Sequence, residues 1–266
     1  SETATSGTVS IPGLGYSSDF TTIPGIITTV TLTSYDELKV SDGIENKGIH
    51  ITALEEVTVY GLSRLTATTD AFLCLPTDVL GDSYIIPSYT GLSGSTGASQ
   101  LVVVGTQNAT EITITPTVDA QSRTAGVPFT IILEQGEAYQ LQATDRGDLT
   151  GSVVTSSAPV AVFGSVQCVN VPVGCSACDF IAEEIPPVST WGESFITAPL
   201  AGRNGDAYRF LASEDNTTVY VNGTAVATLN QGEFFEGLYY IGLHITSDNP
   251  ILVIQYSRGQ SCAGAP

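Results

Sequence analysis

Gly48-Ile-His-Ile-Thr-Ala-Leu-Glu-Glu-Val-Thr-Val-Tyr60 returns twice without gaps, as Gly151-Ser-Val-Val-Thr-Ser-Ser-Ala-Pro-Val-Ala-Val-Phe163 and as Gly242-Leu-His-Ile-Thr-Ser-Asp-Asn-Pro-Ile-Leu-Val-Ile254. The copies start 103 and 91 residues apart. A glycine, a β-branched stretch ending in Thr, a polar middle and a closing Val/Ile-x-Val read as strand, turn, strand. Recurrence at this period predicts one all-β unit used three times.

The likeness extends outward from these copies. Gln100–Ile114 aligns with Ala207–Val221, each a strand, an Asn/Asp turn and a second strand. Leu133-Glu-Gln-Gly-Glu137 aligns with Leu229-Asn-Gln-Gly-Glu233, and Ile23-Pro-Gly25 stands in their place in the first unit. Pro76–Tyr84 mirrors Pro187–Phe195. Further strand patterns lie at Thr28–Leu32, Glu111–Thr115 and Phe129–Leu133, and no window carries a helical period. The expected organisation is a β repeat at 1–64, a connector at 65–98, a repeat at 99–164, a cysteine-containing connector at 165–206, and a repeat with a tail at 207–266. The expected fold is all-β: three related antiparallel β-sandwich-like repeats in a pseudo-threefold or tandem array, with a propeller- or prism-like arrangement as the alternative.

The second and third units open on an apolar strand, Leu101–Val104 and Tyr208–Leu211, whereas the first begins at its second strand. The sequence therefore predicts an uncovered edge at Thr8, Val9, Ser10 and Ile11, where a partner or a second copy attaches.

Asp and Glu number 27 against 8 Lys and Arg, a net charge of −19. Such a chain cannot neutralise phosphates, which argues against nucleic acid and anionic membrane surfaces. No apolar run approaches the roughly 20 residues of a membrane helix. Methionine is absent even at position 1, as expected of a processed chain. The acidic balance suits solubility outside the cell; the sharper reading is a calcium site, with Asp179, Glu183, Glu184 and Asp215 as candidate ligands. Their spacing matches no defined calcium loop, so no cofactor is assigned.

Five cysteines are present, three of them within Cys168–Cys178. Cys175-Ser-Ala-Cys178 lacks the helix and βαβ context of a redox motif, and with only His50 and His244 in the chain a zinc site lacks ligands. Disulfides in an oxidising compartment are expected, Cys168–Cys178 first and Cys175–Cys262 second, with Cys74 a free thiol in an apolar strand. Asn108, Asn216 and Asn222 begin glycosylation triplets. His50 and His244 share one place in the repeated pattern and are read as scaffold. Trp191 aligns with Leu80 and is read as a buried anchor rather than a sugar platform. Glu183–Glu184 and Glu233/Glu236 are the nearest approaches to a catalytic carboxylate pair, and no nucleophile, metalloprotease or phosphate-loop motif is present.

Ala158-Pro-Val-Ala-Val-Phe-Gly164, Cys168 with Cys178-Asp179, Ile185-Pro-Pro-Val-Ser-Thr-Trp-Gly-Glu-Ser-Phe195 and Asp248-Asn-Pro-Ile-Leu-Val-Ile-Gln-Tyr-Ser-Arg-Gly259 together resemble IgGFc-binding-like extracellular modules of bacteria and animals. The Pro-Pro-x-x-x-Trp-Gly block after Cys-Asp is the most specific part. The chain departs from the pattern at both ends, lacking the leading apolar strand and stopping just after Cys262. The resemblance implies a non-enzymatic adhesion, matrix or protein-binding module of a larger secreted or surface protein. It carries over no catalytic residue and does not imply antibody binding. A self-assembling surface-layer or filament subunit and a carbohydrate-binding module are the alternatives.

Overall fold

A computed structural model describes residues 1–32, 37–92 and 97–264. In chain order its strands are β1 (Thr5–Ile11), β2 (Tyr16–Thr22), β3 (Gly43–Glu45), β4 (His50–Ala53), β5 (Val59–Leu65), β6 (Thr68–Cys74), β7 (Gly81–Ile85), β8 (Ser99–Gly105), β9 (Thr110–Thr115), β10 (Phe129–Leu133), β11 (Ala138–Gln142), β12 (Val153–Val169), β13 (Asp179–Glu184), β14 (Gly192–Ile196), β15 (Asp206–Ala212), β16 (Thr217–Val221), β17 (Thr224–Leu229), β18 (Phe234–Tyr239) and β19 (His244–Tyr256). Helix among the described residues is confined to single 3-10 turns.

Two sheets share one strand order. The second runs β10-β9-β12-β8-β11, with β3 added beyond β11, and the third runs β17-β16-β19-β15-β18. Each centres on a long strand, β12 or β19, that carries the thirteen-residue pattern. The polar middle of that pattern is not a turn in either sheet. It is a register shift inside one continuous strand, between Thr155 and Val160 in β12 and between Thr246 and Ile251 in β19. Pro159 and Pro250 fall in these irregular stretches, where the ladder does not need the N–H that proline lacks. The shift lets each strand change partners. The first half of β12 pairs with β7 and β9, and the second half pairs with β8 and β13.

Alternation builds the cores. Leu101, Val103, Ile112, Ile114, Leu133 and Val162 are fully buried in the second sheet. Tyr208, Phe210, Val219, Ile245 and Ile251 form the third core, with Phe210 stacked on Phe235 at 5.8 Å. Between them, Ile85, Trp191 and Leu211 form a cluster that joins the two sheets. Trp191 and Leu80 close equivalent 3-10 turns with nearly the same backbone, φ −68° and −70°, so the connectors are alike in conformation as well as in sequence.

The N-terminal part is different. Its sheet has three strands, β2-β1-β4, and β5 pairs only with β6 in a separate hairpin. Of the described residues before Tyr84, only Val9 and Ile11 are buried apolar side chains. The expectation of three comparable sandwich-like units thus meets two matched sheets and one partial one. The expected open edge at Thr8–Ile11 is also corrected. β1 pairs with β2 on one side and, through Gly7–Ser10, with β4 on the other, so its backbone groups are already satisfied. Thr28–Leu32, expected as a strand, takes none.

The sheets meet through glycines. Gly48, which opens the first copy of the pattern, donates its N–H to the carbonyl of Gly136, and a Cβ on Gly48 would lie 2.6 Å from that oxygen. Gly151, which opens the second copy, adopts φ +88°, and a Cβ there would lie 2.2 Å from the Gly232 carbonyl. Gly136 and Gly232 are the glycines of the two Gln-Gly turns, so one contact is used at both junctions.

Candidate functional site

Exposed apolar side chains are carried by the hairpin β5–β6 and by the three-stranded sheet that precedes it in the chain. Gly61 faces the ring of Phe72 across the hairpin, and Phe72 meets Phe163 of β12 edge-on at 5.3 Å. One side of the hairpin is thus anchored on the second sheet, where Asp70 accepts the N–H of Ala182 and Asp179 accepts the N–H of Thr69. The rest of β5 is bare. Tyr60 is 69% exposed, Leu62 62% and Leu65 69%. Ile49 and Leu54 add exposed aliphatic surface on either side of β4. A shallow groove, lined by Ser6, Thr8, Phe20, Thr52 and Leu54, crosses the three-stranded sheet next to them. Exposed apolar side chains on these successive segments mark a candidate interaction face.

An acidic cluster lies under the anchored side. Glu184 is buried, its carboxylate accepting the N–H of Leu75 at 2.9 Å. Burial pushes its pKa up to about 7, and Glu183 adds to this while the Leu75 bond opposes it. Burial also raises Asp70, helped by Asp179, and lifts the Cys74 thiol to about 11, with Glu184 contributing. Cys74 is the free cysteine, and such a thiol is a poor nucleophile near neutrality. The expected calcium ligands do not converge. Asp179 and Glu184 are occupied by the hairpin, Asp215 accepts the N–H of Gln231 far along the chain, and no group of three metal-ligating side chains occurs among the described residues.

Because the folded state prefers protonated Glu184, its contribution to stability is full below the unfolded pKa and is lost as pH rises through about 7. Glu184→Gln keeps an acceptor for Leu75 without the charge. The variant is expected to match the parent at about pH 4 and to exceed it at about pH 8 by up to about 3 kcal/mol, read by denaturant unfolding at both values.

The other sequence-predicted residues fall at separate places. Cys168 is bonded to Cys178 and Cys175 to Cys262, fastening the loop after β12 and the chain end to each other. Asn108, Asn216 and Asn222 are exposed at turns, the last two with φ +58° and +49°. His50 and His244 are exposed strand residues, far from any shared constellation. Trp191 is buried, its indole N–H donated to the Pro186 carbonyl. Glu233 accepts the N–H of Asn230, and Glu236 is held by Arg209 and the Tyr89 hydroxyl, so that carboxylate pair is committed to structure.

Sequence reasoning missed Arg209. Its guanidinium, with the side chain 3% exposed, meets Asp148 and Glu236, each at 2.8 Å, between the rings of Tyr89 and Phe234. It also donates to the Ser88 carbonyl and the Thr150 hydroxyl. A lone cation inside Ala-Tyr-Arg-Phe-Leu, a strand apolar on both faces, was the available signal. Asp42 plays a related part at the other junction, accepting from Arg123, Ser122 and Tyr139. Burial raises its pKa, but these bonds outweigh that and hold it below the usual carboxylate range.

A family model described as IgGFc binding protein matches residues 70–266. IgGFc-binding protein of Homo sapiens is 27% identical over 169 residues, which make up 62% of this chain and 3% of that protein. The chain therefore spans a small fraction of that relative's length. No solved structure matches. The matched region begins within β6, so the bare strand β5 lies just outside it.

Proposed function

Since the chain belongs to the IgGFc-binding protein family, we propose that it is an extracellular, non-enzymatic module of an adhesive or matrix protein and binds another protein through its N-terminal face. The observation that carries this reading is the bare strand β5, with Tyr60 and Leu62 exposed on one face beside Leu73 of β6 and Leu65 exposed on the other, on a hairpin anchored from one side. A sugar site or an active site needs a concave pocket with convergent polar groups; β5 offers exposed apolar side chains on an extended strand. The two disulfides fit an oxidising compartment, and the strongly acidic surface fits a secreted protein. Whether the ligand is an immunoglobulin Fc, as the relative's name states for that protein, is open to the same test.

Side-by-side arrays of secreted proteins, Fc included, and of glycans provide that test. Signal is expected on the protein array, and Leu62→Glu should remove it because it places a charge in the middle of β5. A glycan signal that survives Leu62→Glu would overturn the reading.

A further inference from the structure

We propose that the chain associates head to tail with a second copy of itself, the segment Tyr240–Gly242 of one copy docking on the turn Ile23–Ile26 of the next. This contact is separate from the protein-binding face on β5.

The fold already makes such a contact twice. At the first junction Gly48 of the thirteen-residue pattern meets the turn glycine Gly136, and at the second Gly151 meets the turn glycine Gly232. In each case the opening glycine of one unit sits on the turn of the next. Two halves are left over, both formed by residues well inside the chain. Gly242 opens the third copy of the pattern, and a Cβ there would meet only the Thr197 carbonyl just after β14, at 3.0 Å. Gly25 is the turn glycine of the N-terminal part, and a Cβ there would meet nothing within 4 Å. That turn is nonetheless built like its siblings. Ile26 donates its N–H to the Ile23 carbonyl at 3.2 Å, as Glu137 does to Glu134 at 3.0 Å and Glu233 to Asn230 at 2.9 Å. The three glycines adopt φ +76°, +82° and +78°.

Side-chain chemistry identifies what fits. The two occupied turns read Glu134-Gln-Gly-Glu137 and Asn230-Gln-Gly-Glu233, whereas the free one reads Ile23-Pro-Gly-Ile26. Asn46-Lys47 and Leu149-Thr150 precede the two occupied pattern glycines, and Tyr240-Ile241 precedes the free one. Ile23, Ile26, Tyr240 and Ile241 are all more than half exposed. Each free half is more apolar than its occupied siblings, and apolar surface is what the other free half offers.

Ile196 extends the same face. It pairs with His244, two residues from Gly242, and is 79% exposed. Its counterpart Ile85 is 2% exposed and packs against Trp191 and Leu211 between the second and third sheets. A position that the internal junction buries is thus bare on the third sheet. A head and a tail formed by different patches of one molecule make a heterologous contact, which builds rings or filaments rather than a symmetric pair.

Sedimentation velocity of the full chain tests this, in roughly 0.5 M salt so that the like charge of the copies is screened. As concentration rises from about 10 μM to about 1 mM, the weight-average mass is expected to rise more than about twofold, past the dimer. Ile241→Glu removes the head and Ile26→Glu the tail, so each variant alone should stay monomeric. Their equimolar mixture should form dimers and nothing larger, because it holds one intact head for one intact tail. Both side chains are exposed, so folding should be kept; the Trp191 unfolding transition checks it, and Ile196→Glu with Ile23→Glu serve as a second pair. A parent that stays monomeric, either variant associating alone as the parent does, or a mixture that stays monomeric overturns the proposal. Leu62→Glu should assemble as the parent does. If it does not, the contact lies on β5 and the head-to-tail assignment falls, while the protein array still reads the β5 partner by itself.

Discussion

Arg209→Met is expected to cost about 3–5 kcal/mol of stability, more than any other single surface or strand substitution considered for this chain. The size follows from what the guanidinium holds. Asp148 comes from the loop before β12, Ser88 and Tyr89 follow β7, and Glu236 lies on β18, so three separate segments converge on the one cation of β15. Methionine fills the stem's volume between the Tyr89 and Phe234 rings but leaves two carboxylates facing each other without a counter-charge. Arg209→Lys should recover only part of the loss, because an ammonium cannot present the planar fork that bonds Asp148 through Nη1 and Glu236 through Nε. A triple variant with Asp148→Asn and Glu236→Gln added should regain more, since no buried charge is then stranded. Trp191, the only tryptophan, packs with Ile85 and Leu211 at the same junction, so its emission in a denaturant titration reports the event directly. A loss below about 1 kcal/mol would show the network to be no stronger than a surface ion pair.

What the sequence disclosed about this molecule divides along a physical line. Alternation and repetition are local, so the all-β class, the matched connectors at Leu80 and Trp191, and the free state expected of Cys74 could be read from neighbouring residues, although Cys74 is only partly buried rather than buried. Pairing is not local. The middle of the thirteen-residue pattern looks like a turn because Ser, Asp, Asn and Pro favour turns. In β12 and β19 the chain instead runs straight through, since ladders on both sides exchange partners there. Thr28–Leu32 has a good strand pattern and forms no ladder, because pairing depends on a neighbour that the local sequence does not specify. The same reasoning moved the open edge. Among the described residues β5 pairs only with β6, whereas β1 is paired on both sides. The Arg209 network was invisible for a related reason: its partners lie 27 to 121 residues away in the chain, and only the odd cation in an apolar strand hinted at it.

Cys175→Ser with Cys262→Ser is expected to lower stability by about 4–5 kcal/mol, against about 3 kcal/mol for Cys168→Ser with Cys178→Ser. The contrast comes from loop length. Cys175 and Cys262 are 87 residues apart and their bond closes a loop that contains the whole third sheet, whereas Cys168 and Cys178 are separated by 10. Cross-linking distant residues removes more freedom from the unfolded chain. In the folded state the long bond adds to backbone ties of the tail: Gly259 donates its N–H to the Val171 carbonyl, Ser261 to the Ser176 carbonyl, and Asn204 donates to the Ala263 carbonyl. Gly259 also sits against Cys175 so closely that a Cβ would lie 2.5 Å from its carbonyl oxygen, so the disulfide holds a contact that only glycine permits. Without it, exchange should rise first at Gly259–Cys262 and then across β19 and β15, while β5 and β6 keep their parent rates. The bare face at Tyr60 and Leu62 lies on the opposite part of the chain's topology, anchored through Phe72 and Phe163 to the second sheet. The double-serine variant should therefore lose stability yet bind through β5 with unchanged affinity below its unfolding transition. A parallel loss of binding would mean that the N-terminal face depends on the third sheet, and would place the interaction surface elsewhere.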